Sequence, residues 1–410
     1  MKRFTRSFTE EFMGKCTGKF TGKFMKTCMK GLLLAAVLFG TCGGAFAAPS
    51  GEPIKIGYIA TLTGEGSTWG QHERDAAMLA VKEINEKGGL LGRPVELICY
   101  DIKGKPEDAV IAVRRMIDHD KVVGIGGCNY SGVQLAIAPV IDKAKVPNIA
   151  STATNPAVTV DADTGKVRPY TFRINYTDTY QGTVIADYLV RKCGAKKIAI
   201  IGDVGDAYSE GLAEYEKKQA DKLGVENKFW GYRGGDVDFR AQLTEARAWG
   251  ADAVGLTMLY KEMALVIKQA AEMGWTPYFM GGTGYSPNMF EIAGGAMEGT
   301  FWVYGLSGEE PSIAGLMAAF EKEYGKKATE PMNMAFGYDI IQMFAHAITT
   351  AGSDDPTAIR DAIENTKDLQ VTHFKWTVDK ETHNPLNKPG VILKGLKDRA
   401  VFLETWSPES

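Results

Sequence analysis

The sequence predicts an α/β protein made of two consecutive units, each a parallel-rich sheet with helices on both faces. Three observations predict it. Short apolar runs alternate with amphipathic helical segments, the alternation restarts at Lys197, and 410 residues with 45% hydrophobic and 24% charged content exceed a single compact core.

The first unit opens with an apolar strand at 54–62. Ala76, Ala77, Ala80, Val81 and Ile84 then recur every three to four residues, the period of one helix face, and Gly88-Gly89 ends that helix in the left-handed conformation glycine permits. A strand at 95–100 follows, then a helix with Ala109, Val110, Val113, Met116 and Ile117 inward, a strand at 122–127, and a helix around 134–143. The second unit runs strand 198–202, helix 210–223, strand 228–232, helix 239–249, strand 253–259, helix 262–273, and strands at 278–281 and 300–304. A long helix carries Phe336, Ile340, Met343, Phe344 and Ala347 on one face, and a shorter one spans 356–366. The tail from 372 to 406 reads as strands and turns, broken at Asn384-Pro385 and Lys388-Pro389-Gly390.

Such strict alternation places ligands at the mouths of strands. The run VPNIASTATNP (146–156) ends a strand and delivers Ser151, Thr152, Thr154 and Asn155 in five positions. Asn155 before Pro156 reads as a helix start, and hydroxyls with free N–H groups there would seat an anion, most simply a carboxylate. A capped loop with no ligand accounts for this stretch equally well. Other mouths carry Trp69, then Asn129, Tyr130 and Ser131; in the second unit they carry Asp203, Asp206 and Tyr208, Tyr260, and Thr283 in GGTGYS. If the two sheets face each other mouth to mouth, these sets enclose one ligand between polar groups and aromatic walls.

Catalytic signatures are missing. The sequence has no G-x-S-x-G elbow, no Walker loop and no H-E-x-x-H, and its five histidines lack metal-ligand spacing. Gly124-Ile125-Gly126 begins a dinucleotide fingerprint, but Asn129 stands where its third glycine belongs, so tight strand-to-helix turns are the weightier explanation. The expectation is a binding protein without enzyme activity, metal or cofactor.

Leu32–Phe39 is an apolar run of eight, too short to span a bilayer, preceded by Lys26 and Lys30 and followed by Ala45-Phe46-Ala47. Residues 1–47 are therefore expected to be a signal peptide cleaved after Ala47, with the product exported to the periplasm. Met25 or Met29 would each begin a more ordinary signal. Lipid attachment at Cys42 is the alternative, against which Thr41 and Phe39 fit poorly. Net charge is −3, and because the first 47 residues carry +6 the remainder carries −9, which argues against nucleic acid and anionic membrane as partners. Cys99, Cys128 and Cys193 remain after cleavage. Cys99 and Cys128 lie near strand ends, and strands two places apart would hold them about 9.6 Å from each other, beyond bridging reach. Buried free thiols are expected.

With IKIGYIATLTGEGSTWG (54–70), AVKEINEKGGLLGRPVEL (80–97), ASTATNP (150–156), YTFRINYTDTYQG (170–182), GDVGDAYSEGLAEY (202–215), FMGGTG (279–284) and IAGGAMEGTF (292–301), the sequence resembles the periplasmic binding proteins of branched-chain amino acid ABC transporters, the type I, Leu/Ile/Val-binding group. The resemblance implies two Rossmann-like lobes joined by three hinge crossings, 48–177 with 306–373 and 178–305 with 374–410, closing over a ligand. It implies a carboxylate seat at Asn129, with Ser131 nearby, and at Thr152, Ala153 and Thr154. It implies aromatic walls from Trp69, Tyr208 and Tyr260, with Leu259 an equally good alignment for the last. It also implies an ABC permease as partner and a monomeric receptor. One departure is Thr283, where amino-acid binders of this group place an acid against the ligand ammonium. Either Asp206 or Asp178 serves instead, or the ligand is an aromatic or aliphatic carboxylate without an amino group, since an unpaired buried ammonium is costly. A sensor-feeding receptor and an enzyme on the same scaffold are the competing readings.

Overall fold

The computed structural model describes residues 48–408; the expected signal peptide, its cleavage after Ala47 and Cys42 lie outside the described residues. The first sheet is built from β1 (Ile54–Ala60), β2 (Val95–Asp101), β3 (Gly124–Gly126), β4 (Asn148–Ala150) and β5 (Thr171–Arg173), in the order β2-β1-β3-β4-β5, all parallel. Between the strands run α1 (Ser67–Glu86), α2 (Pro106–Arg115) and α3 (Ser131–Ala144). Strand alternation sorts the core. Ile54, Ile56 and Tyr58 of β1 face α1, while Ile59 joins Val113 and Ile137 on the other face.

The second sheet uses β6 (Lys197–Asp203), β7 (Glu226–Tyr232), β8 (Ala253–Thr257), β9 (Tyr278–Gly281) and β10 (Phe301–Tyr304), parallel and ordered β10-β9-β8-β6-β7. At its far edge β13 (Val391–Gly395) and β14 (Ala400–Thr405) add antiparallel strands. Its helices are α4 (Asp178–Arg191), α5 (Ala207–Lys222), α6 (Arg240–Trp249), α7 (Tyr260–Glu272) and the short α8 (Met289–Ala293). After β10 the chain returns to the first lobe for α9 (Ala314–Tyr324), α10 (Pro331–Ala351) and α11 (Pro356–Glu364), and α10 packs along α1.

Three helices, α4, α9 and the short α8, lie where the sequence reading places none. In α4 the residues Val184, Ile185, Ala186, Tyr188 and Leu189 are all buried, so no polar face sets the helical period off. In α9 Leu316, Met317, Phe320 and Tyr324 form an apolar stripe at helical spacing that the sequence reading passed over, and only Phe320 is fully buried.

Gly124 and Gly126 do not serve strand-to-helix turns. They lie inside β3, where a Cβ would come within 2.4 Å of the Phe344 ring and 2.7 Å of Ile340 Cγ2, so glycine lets α10 rest directly on the sheet. The return crossing also differs from the expected boundary at 373/374. A hairpin of β11 (Leu369–Gln370) and β12 (Lys375–Trp376) stays with the first lobe, where Trp376 is fully buried and its Nε1 donates to Arg173 O at 3.3 Å. Further along, Val378 N donates to Thr366 O at 3.2 Å and His383 stacks on Phe172 with ring centroids 4.1 Å apart. The crossing falls at 388–390, where Lys388 Nζ donates to Gly305 O of the preceding crossing at 2.9 Å. Cys99, Cys128 and Cys193 are free thiols.

Candidate functional site

In each sheet the chain leaves its first strand toward one edge and then crosses to the other, which makes β1/β3 and β6/β8 the topological switch points. The loops beyond those strands meet at one cavity of about 20 Å³, room for about one water molecule. From the first lobe Trp69, Asn129, Tyr130 and Thr152 line it; from the second come Asp206, Tyr208, Leu259, Thr283 and Gly284.

The lobes are closed on each other. The Trp69 ring meets Tyr260 edge-on with centroids 5.3 Å apart. Asn155 Nδ2 donates to Ala207 O at 2.6 Å, Asn288 Nδ2 to Thr68 Oγ1 at 3.2 Å, and Ser286 Oγ to Glu330 Oε1 at 2.5 Å.

Local chemistry fixes each lining residue. Asn129 Nδ2 donates to Glu73 Oε1 at 2.5 Å and to Thr152 Oγ1 at 3.1 Å, while its own Oδ1 is buried without a partner. Both N–H bonds of its amide are thereby engaged, and the Thr152 hydroxyl keeps its proton to donate. Asp206 caps α5 by accepting from Ser209 N at 3.0 Å, and burial pushes its carboxyl upward. Tyr208 Oη accepts from Gly284 N at 3.0 Å. Thr283 N and Oγ1 both reach Gln181 Oε1, at 3.0 and 3.2 Å, and Gln181 Nε2 donates to Asp178 Oδ1 at 2.8 Å.

Four sequence candidates stand elsewhere. Ser131 Oγ accepts from Asn155 N at 3.2 Å and braces the loop. Ala153 packs with Ala150 and Val158. The carbonyl of Thr154 accepts from Arg173 Nη1 at 2.6 Å and Asp178 N at 2.9 Å, which ties it to the first hinge crossing. Tyr260 stacks behind Trp69, and the cavity is met by Leu259. Asp178 is likewise a hinge residue, pushed to about 7 by burial, beside an Arg173 whose burial lowers it to about 10.

The helix expected after Asn155 is a three-residue 3-10 turn, Pro156–Val158, whose first N–H groups are met in part by Asn155 Oδ1 accepting from Ala157 N at 2.9 Å. So short a turn carries almost no macrodipole. The helix start that reaches the cavity is that of α3, where Tyr130 at the cap position makes no side-chain cap bond.

Sequence reasoning missed Glu73 and Gln181. Glu73 sits on the same stripe of α1 as Ala76, Ala77, Ala80 and Ile84 and is 0% exposed. An acid on an apolar stripe was its signal. Burial pushes it to about 7, against the hydrogen bonds it receives.

A model of the family described as periplasmic binding protein matches residues 53–395. An amino acid binding protein of Pseudomonas aeruginosa is 31% identical over 305 residues, 74% of this chain and 80% of its own length. Leu/Ile/Val-binding protein homolog 1 of Brucella suis is 30% identical over 338 residues, 82% of this chain and 87% of its own. Among solved structures, the leucine binding protein LivK of Thermotoga maritima superposes with a TM-score of 0.79 at 31% identity, covering 87% of this chain and 99% of that one.

Proposed function

The chain belongs to the periplasmic binding proteins of the Leu/Ile/Val-binding type, and from that premise we propose that it is an extracytoplasmic receptor for an amino acid of the branched-chain or a related apolar class, delivered to an ABC permease. One observation carries this reading: the cavity between the lobes is lined together by hydrogen-bond donors, hydrogen-bond acceptors and apolar walls. The uncapped start of α3 and the Thr152 hydroxyl suit a carboxylate. The free Asn129 Oδ1 and the Asp206 carboxyl suit an ammonium, taking the place of the acid that Thr283 lacks. Trp69, Tyr208 and Leu259 suit an aliphatic side chain. The named ligand of a relative in the family, leucine, has these three parts.

Binding works by lobe closure. The cavity holds about 20 Å³ with the lobes together, too little for an amino acid, so entry requires the cross-lobe bonds at Ala207, Thr68 and Glu330 to part and the lobes to close less tightly over the ligand than they do here. A closed receptor then presents the permease with a surface that the open one does not have.

Thermal-shift screening of L-leucine, L-isoleucine and L-valine beside their deaminated acids tests this reading. A ligand at 100 times its dissociation constant adds about 2.7 kcal/mol of stability. Stabilisation by the amino acids is expected. Stabilisation by 4-methylpentanoate or an aromatic acid, with no response to the amino acids, would replace the ligand class by the carboxylate lacking an amine that Thr283 also allows.

A further inference from the structure

Asn129 is the lining residue whose amide can face the cavity in two ways, and the two ways select opposite chemistry. With its NH2 inward it would attract an anion; with its oxygen inward it attracts a donor. The structure assigns that choice to a residue outside the cavity. Glu73 Oε1 accepts from Asn129 Nδ2 at 2.5 Å and from Asn333 Nδ2 of α10 at 3.2 Å, and Tyr58 Oη of β1 donates to Glu73 Oε2 at 3.1 Å. The acid is thus held from three elements, and through Thr152 its grip extends to the loop after β4. We propose that Glu73 is a positioning residue that keeps the Asn129 oxygen turned toward the ligand, and so sets the preference for an amine over its deaminated counterpart. This rests on the reading of the cleft as the ligand site.

The mechanism is a matter of acceptors. A carboxylate has no proton to offer Asn129 Oδ1, so it holds only the NH2 end, whereas a protonated acid can bond either end. Tyr58, Cys99, Cys128 and Tyr304 are the titratable groups that face Glu73, each uncharged at neutral pH because burial raises it further. Burial also places the change of Glu73 at about 7, so its hold tightens as pH rises through that value.

The test uses the full chain labelled with 15N-asparagine, the Asn129 side-chain signal being assigned by its loss in Asn129→Ala. In the wild type this NH2 signal is expected to move with pH around 7, and in Glu73→Gln to stay fixed; Tyr58→Phe, which strips one donor from the carboxylate, should move the midpoint upward. A wild-type signal that does not respond between pH 5.5 and 8.5 overturns the proposal even if Glu73→Gln fails to fold. In calorimetry, the affinity ratio of L-leucine to 4-methylpentanoate should narrow about tenfold in Glu73→Gln, the worth of one hydrogen bond. An unchanged ratio in a folded variant overturns the role in selectivity. If neither probe binds the wild type, the ligand class is wrong, and the NH2 signal still decides the role of Glu73.

Discussion

Glu330 and Ser286 meet across the cleft, one from each lobe, with Oε1 and Oγ 2.5 Å apart and both side chains fully buried. Burial pushes the Glu330 carboxyl to about 8. A carboxyl raised in the folded state contributes stability that is complete below its unfolded value and is lost as pH rises through the folded one. The closed arrangement should therefore weaken between about pH 5 and pH 8. Glu330→Gln keeps an acceptor for Ser286 and has nothing to ionise, so its melting temperature should fall less than that of the wild type from pH 6 to pH 9. Parallel curves would show that Glu330 does not titrate in the latch.

Asp206 does two things at once, capping α5 and lining the cavity. Asparagine caps as well as aspartate, so Asp206→Asn should leave the melting temperature close to that of the wild type. What it removes is the charge. Affinity for L-leucine should drop by roughly 1.5–3 kcal/mol, the worth of a charged hydrogen bond, while 4-methylpentanoate binds as well or better. Calorimetry with both ligands decides it, and equal losses for the two would leave Asp206 only a cap.

Much of this arrangement is legible in the sequence, because a parallel sheet writes its strands as apolar runs and its helices as stripes, and the switch points follow from strand order. Trp69, Asn129, Thr152, Asp206, Tyr208 and Thr283 stand at those strand mouths, and all reach the cavity. What escaped depends on tertiary contacts. Leu259 and Tyr260 are adjacent at a helix start, and only the approach of Trp69 decides which of them turns toward the cavity. Trp376 keeps the hairpin with the first lobe through a core that no local pattern announces. Asn155-Pro156 signals a helix start correctly, but nothing local says that it stops after one turn.

That division between neighbours gives a further test. Leu259→Ala removes a wall of the cavity and should weaken an aliphatic ligand by about 1–3 kcal/mol with little change in the fold of the empty protein. Tyr260→Ala removes the cross-lobe partner of Trp69 instead. Its effect should fall on closure and be shared by ligands with long and short side chains alike, whereas Leu259→Ala should penalise leucine more than alanine. Comparing L-leucine and L-alanine across the two variants separates a wall from a clasp, and identical patterns would merge them.

Gly124 settles whether the partial glycine fingerprint is packing or nucleotide chemistry. Its strand position is ordinary for any residue, but a Cβ there would lie 2.4 Å from the Phe344 ring, well inside van der Waals contact. Phe344 is fully buried on α10 and cannot swing away freely. Gly124→Ala should therefore cost about 1–3 kcal/mol by overpacking, and trimming the ring in Phe344→Leu should give part of that back. The two changes would be strongly coupled, since the same space is contested, while adding them as independent sites predicts a double variant worse than either. Thermal melting of the two single variants and the double variant measures the coupling. A double variant more stable than Gly124→Ala alone is the packing result; a Gly124→Ala protein as stable as the wild type would mean that α10 does not need glycine beneath it.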